Sequence, residues 1–131
     1  MSKRTLVSSG SPYEEPIGFS RAVRIGKHIA VAGTAPIAPD GSTVSPGDLY
    51  SQTVYCLRIM IEAVKQAGGS PEDIIRTRIF LADISRWEEA GRAHGEVFAK
   101  IRPACTFVEI SGLINSEWLV ETEADAVVAG D

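Results

Sequence analysis

The chain has 131 residues, 44% of them hydrophobic and 23% charged, with a formal net charge of −4. That composition suits one soluble domain spanning residues 1–131, argues against disorder, and is too acidic overall for a protein that grips a phosphate backbone. Its apolar runs are shorter than the roughly 20 residues a bilayer-spanning helix needs, so neither a nucleic acid nor a membrane is expected as partner.

From the N-terminus, Met1-Ser2-Lys3-Arg4 has no apolar stretch behind it, so no secretory signal is expected. Cys56 and Cys105 make neither a metal-ligand spacing nor a disulfide framework, and a reducing cytoplasm is the default location. Lys3, Arg4, Arg21, Arg24 and Lys27 crowd the first quarter and predict a local basic patch. Ala22–Ile25 and His28–Ala32 read as two strands about a tight Gly26-Lys27 turn, with Gly33 ending the second. A Pro- and Gly-rich loop runs from Pro36 to Pro46.

Tyr50, Val54, Leu57, Ile61 and Val64 then recur at three- and four-residue steps, predicting a helix closed by Gly68-Gly69. Ile75, Thr77, Ile79 and Leu81 alternate with Arg76 and Arg78 as a strand. A second helix is predicted over about Ser85 to Lys100, with Trp87, Ala90, His94, Val97, Phe98 and Ile101 along one side. Two further strands follow, Cys105–Ile110 and Trp118–Val128. This order predicts a two-layer α+β sandwich.

The last two strands carry carboxylates where doubly buried strands are apolar. Glu109 sits among Phe107, Val108 and Ile110; Glu121, Glu123 and Asp125 alternate with Val120, Thr122 and Ala124. A buried charge is costly unless it is paired or faces a cleft, so these acids predict a polar pocket or a subunit interface.

Six segments stand in order along the chain: Ile17-Gly18-Phe19-Ser20-Arg21-Ala22-Val23, Val31-Ala32-Gly33-Thr34-Ala35-Pro36, Ala67-Gly68-Gly69, Phe80-Leu81-Ala82-Asp83, Arg102-Pro103-Ala104 and Val120-Glu121-Thr122-Glu123-Ala124. Together, from about Gly18 to Val128, they resemble the RidA/YjgF family of enamine/imine deaminases. The resemblance implies a chorismate-mutase-like sandwich, a mixed six-stranded sheet with two helices on one face. It also implies a homotrimer that binds a small-molecule metabolite in clefts between subunits. It assigns Glu121 the positioning of an attacking water and lays the Gly33 backbone along the ligand. Two positions depart from the family. Where deaminating members carry an arginine that forks onto the substrate carboxylate, this chain has Cys105, and a thiol supplies neither fixed charge nor paired donors. Where the family has a tyrosine, it has Phe19. Weak activity on 2-aminoacrylate is therefore expected.

Each candidate has a bland counterpart. Cys105 is a nucleophile or redox thiol only beside a base or positive field, and otherwise a small packed or cleft-lining side chain. Glu121 is a general base or the partner of Arg76 or Arg78 in an ion pair. Glu109 lines the cleft or forms a structural ion pair. Arg102 is a substitute anion anchor or a solvated residue capping the preceding helix. Thr106 lies next to Cys105 on the same candidate ligand-binding segment. His94 reads as a hydrogen-bonded structural histidine, and Trp87 and Trp118 as core or interface anchors. No phosphate loop, metal cluster or Ser-His-Asp set is present in the sequence, so no metal or cofactor is expected. The chain is thus expected to be either a hydrolytic deaminase of small enamines and imines or a non-catalytic metabolite-binding trimer. A nuclease reading, known for some family members, is disfavoured by the charge.

Overall fold

The computed structural model describes residues 3–129. Alternating small and branched residues in Ala22–Ile25 (β2) and His28–Thr34 (β3) pair antiparallel, His28 opposite Ile25, as the Gly26-Lys27 turn predicts. Ahead of them the structure adds a strand that residue patterns did not reveal, Arg4–Val7 (β1), and a one-turn helix, Glu14–Ile17 (α1). The first strand buries little beyond Val7 and pairs only with β2, so its four residues carry no strong alternation.

Leu49–Gln66 (α2) starts where the Asp48 carboxylate accepts the Ser51 N–H at 3.0 Å, an N-cap that satisfies an orphan donor. Its buried stripe is Leu49, Gln52, Thr53, Cys56, Leu57, Met60, Ala63 and Val64, the spacing of a helix with one face on a core. Gly68, at φ 95°, adopts the left-handed turn that stops it, and a Cβ on Gly69 would press Ile29 and Val64 at 3.0 Å. Ile74–Leu81 (β4), Trp87–Phe98 (α3), Ala104–Glu109 (β5) and Val120–Val127 (β6) complete the chain. The second long helix is shorter than the expected Ser85 to Lys100 because Ile84–Arg86 is a separate 3₁₀ turn capped by Asp83.

The six strands form one mixed sheet in the order β1-β2-β3-β6-β4-β5, antiparallel throughout except for the β4/β5 edge. The expected α+β sandwich is therefore present. One sheet face, with Ile29, Val31, Ile79, Leu81, Val120, Ala124 and Ala126, packs under α2 and α3 into two adjoining cores with Leu57, Met60 and Ala90. The other face carries Glu121, Glu123, Asp125, Arg78 and Phe80. Arg78 bridges Glu123 at 3.1 Å and Asp125 at 3.4 Å. The basic cluster expected near the N-terminus does not form one patch. Arg21 is buried, and Arg24 reaches across to donate to the Ala67 carbonyl at 2.9 Å. Among the described residues no helix is long and apolar enough to cross a membrane.

Candidate active site

At the end of β3 the ladder to β6 slips: Val31 faces Ala124, but Thr34 faces Thr122, so three steps on one strand match two on the other. The extra residue makes a bulge at Ala32-Gly33 and turns its carbonyls out of the ladder. Arg21 takes them up. Its Nη1 donates to the Gly33 carbonyl at 2.6 Å, to Thr34 Oγ1 at 3.2 Å and to the Ala32 carbonyl at 3.5 Å, while Nε donates to Ser9 Oγ at 3.2 Å. Arg21 is 4% exposed as a residue, and these acceptors engage its Nε and Nη1.

Glu121 projects from β6, opposite Phe80, toward this bulge. A Cβ on Gly33 would lie 2.6 Å from Glu121 Oε1, so only glycine leaves the carboxylate where it is. Burial raises the Glu121 pKa above the ordinary glutamate value; Arg21 pulls it back in part, and Glu123 adds to the rise. Glu121 pairs with neither Arg76 nor Arg78: the latter is committed to Glu123 and Asp125. Nearby Glu14 behaves oppositely. Burial opposes its ionisation, but hydrogen bonds from Ser9, Ser8 and Ser11 outweigh that and hold its pKa below the usual range.

Arg21, Gly33 and Glu121 line a cavity of about 490 Å³, whose walls also include Tyr13, Phe19, Ile114 and Trp118. That volume fits a small metabolite. Its walls are fixed from behind. Fully buried Gln52 accepts the Leu119 N–H at 2.8 Å and donates to the Glu117 carbonyl at 3.1 Å, tying the loop before β6 to α2. Trp118 meets the edge of Tyr13 at 6.0 Å, and Tyr55 donates its hydroxyl to the Ile37 carbonyl at 2.8 Å.

The structure thus brings Phe19, Gly33 and Glu121 together, and places the other candidates elsewhere in the chain. Cys105 is exposed on the edge strand β5, paired with Thr77, and it is absent from the cavity wall. Thr106 follows it, opposite Arg78. Glu109 accepts the Ile84 N–H at 2.9 Å, making no ion pair among the described residues but holding the turn before α3. Arg102 sits at φ 57°, its N–H bonded to the Phe98 carbonyl at 2.8 Å, and its exposed side chain has no hydrogen bond among the described residues. His94 is bonded to Thr77 Oγ1 at 2.8 Å, and burial lowers its pKa. Trp118 is buried, but Trp87 is 49% exposed. Residue patterns missed Arg21 and Tyr13 as wall residues. The only trace of the first is a cation set between Ser20 and the buried Ala22, which reads equally as a surface charge.

The chain is a two-layer α+β protein with a polar-tipped cavity at a sheet bulge, and comparison with known proteins specifies its family. The family model described as Endoribonuclease L-PSP matches residues 13–128. The chain belongs to that family, the RidA/YjgF family. An uncharacterized Streptomyces coelicolor protein is 41% identical over 120 residues, covering 92% of this chain and 89% of its own. The 3-aminoacrylate deaminase RutC of Acinetobacter baylyi is 28% identical over 129 residues, covering 98% and 100%. Among solved structures, a Mycobacterium tuberculosis member of the YjgF/YER057c/UK114 family is 47% identical with a TM-score of 0.87, covering 96% of this chain and all of its own.

Proposed function

We propose that the chain hydrolyses small imines, and enamines through their imine tautomers, with Glu121 as general base. The observation that carries this reading is the half-buried Glu121 carboxyl, raised in pKa and held against Gly33 in a metabolite-sized cavity. A carboxylate with a raised pKa takes a proton from water more readily than an ordinary one and can return it in a later step. The ionised carboxylate removes a proton from water as the oxygen bonds to the imine carbon and the C=N electron pair moves to nitrogen. The carboxylic acid then returns that proton to nitrogen, giving a carbinolamine. The carboxylate next takes the carbinolamine hydroxyl proton and delivers it to the amine nitrogen as the C=O bond forms and the C–N bond breaks, so ammonia leaves with a carbonyl product. One water is consumed for each ammonia released. The deaminase name of the Acinetobacter relative supports this reading.

A homotrimer with this cavity at the subunit boundary belongs to the same proposal. In its favour, the sheet face away from the helices exposes Leu6 at 60%, Val108 at 37% and Val127 at 38%, an uncovered apolar scatter suited to another copy. The test is the decay of freshly generated imines, with and without an α-carboxylate, in the presence of purified protein. Accelerated ammonia release for at least one class is expected. Decay of every member at the buffer rate, with ligand-induced thermal shifts still present, would leave the metabolite-binding alternative in its place.

A further inference from the structure

We propose that Arg21 is the anion anchor of the cavity, so that a carboxylate-bearing metabolite is held from β2 rather than from the Cys105 position. The inference deepens the small-molecule reading above and rests on that cavity being the ligand site.

An arginine has five N–H donors. Here Nε and Nη1 are taken by Ser9 Oγ, Gly33 O, Ala32 O and Thr34 Oγ1. Nη2 has no acceptor among the described residues, and it is not one of the fully enclosed atoms left without a partner, of which only Thr122 Oγ1 is found. The side chain is 5% exposed, yet it lines the cavity. What little of it meets solvent therefore meets the cavity, and an unengaged pair of donors goes with it. A charged group so buried is expected to complete its hydrogen bonding with a ligand oxygen.

The neighbouring acids do not fill that role. Glu14 Oε2 stands 3.8 Å from Nε, beyond hydrogen-bond distance, and already accepts from Ser9 N, Ser9 Oγ and Ser11 N. Glu121 feels the charge of Arg21 but makes no hydrogen bond to it. The Phe19 ring lies 5.4 Å from Cζ and closes one side of the guanidinium, adding a cation–π contact and limiting the approach of water. One wall thus offers a fixed cation and the other the base, with Gly33 between them. A carboxylate at Nη2 would share the cavity with Glu121, which lies near enough to feel the Arg21 charge.

The experiment compares 2-oxobutanoate with its neutral amide, 2-oxobutanamide, by calorimetric titration of the intact protein. Wild type is expected to bind the carboxylate at least about tenfold more tightly. Arg21→Gln should abolish that preference, while Arg102→Ala and Cys105→Ala should keep it. Because Arg21 also holds the bulge, its replacement can loosen the fold. The second readout therefore uses wild type alone: the Arg21 guanidinium nitrogen resonances should shift saturably with 2-oxobutanoate and not with the amide. Equal affinity for acid and amide, a preference that survives in folded Arg21→Gln, or Arg21 signals unmoved at saturation would each overturn the assignment. Arg21-dependent carboxylate binding without imine turnover would uphold the anchor and remove the deaminase reading. Glu121-dependent turnover without carboxylate preference would do the reverse.

Discussion

The two carboxylate-bearing strands that stand out in the sequence end in very different surroundings. At β6 the strand lies in the interior of the sheet, and the β3 bulge beside it leaves room for Glu121 only because position 33 lacks a side chain. At β5 the strand is the sheet edge, Cys105 and Thr106 face solvent, and Glu109 is occupied by the Ile84 N–H. Similar residue types in similar strands therefore do different work. Strand position and the neighbouring backbone separate the half-buried carboxyl of Glu121 from the turn-holding acceptor at Glu109.

That contrast makes substitutions at the two ends fail in different ways. The largest effect is expected at Glu121→Gln, which keeps shape and hydrogen bonding but cannot take a proton. Imine turnover should fall about 10²- to 10⁴-fold in a steady-state assay. Its thermal stability should hold or rise, since burial already disfavours the charged form. On the α3/β5 side, Phe98 is 2% exposed and packs beside His94 at 4.6 Å. Phe98→Ala should cost about 3–5 kcal/mol in denaturant unfolding, with kcat intact wherever the variant stays folded. Gly33→Ala sharpens the picture at the base itself. The new methyl must displace the Glu121 carboxyl, a flexible group, so turnover should drop about ten- to hundredfold with little loss of stability. Smallest is Cys105→Ala: an exposed edge position should change unfolding free energy by less than about 0.5 kcal/mol and leave turnover within about twofold. A large loss of turnover there would mean that the edge strand reaches a cavity after all, as it would across a subunit boundary.

Much of the architecture was legible because periodicity and punctuation agree. The helix of Leu49–Gln66 was legible from the recurrence of Tyr50, Val54, Leu57, Ile61 and Val64, although of these only Leu57 and Val64 belong to the buried stripe. The Gly68-Gly69 stop and the burial of Ile79 and Leu81 agree with the sequence reading. Arg4–Val7 was not legible, since a strand that buries one side chain leaves no pattern, and α1 carries Pro16, which obscures a single helical turn. Within the site, Glu121 stood out as a charge in an apolar alternation, and Gly33 followed from the resemblance. Arg21 did not, because its burial depends on the bulge carbonyls of Ala32 and Gly33 and on Ser9, tertiary acceptors that no local pattern announces.

The most direct measurement is the pH dependence of kcat/KM for an imine substrate. A half-buried base whose pKa is raised must be ionised to act, so the rate should climb with pH through a limb lying above the ordinary glutamate value, and that limb should vanish in Glu121→Gln. A profile with no such limb, or one that persists unchanged in the variant, would contradict the role given to Glu121.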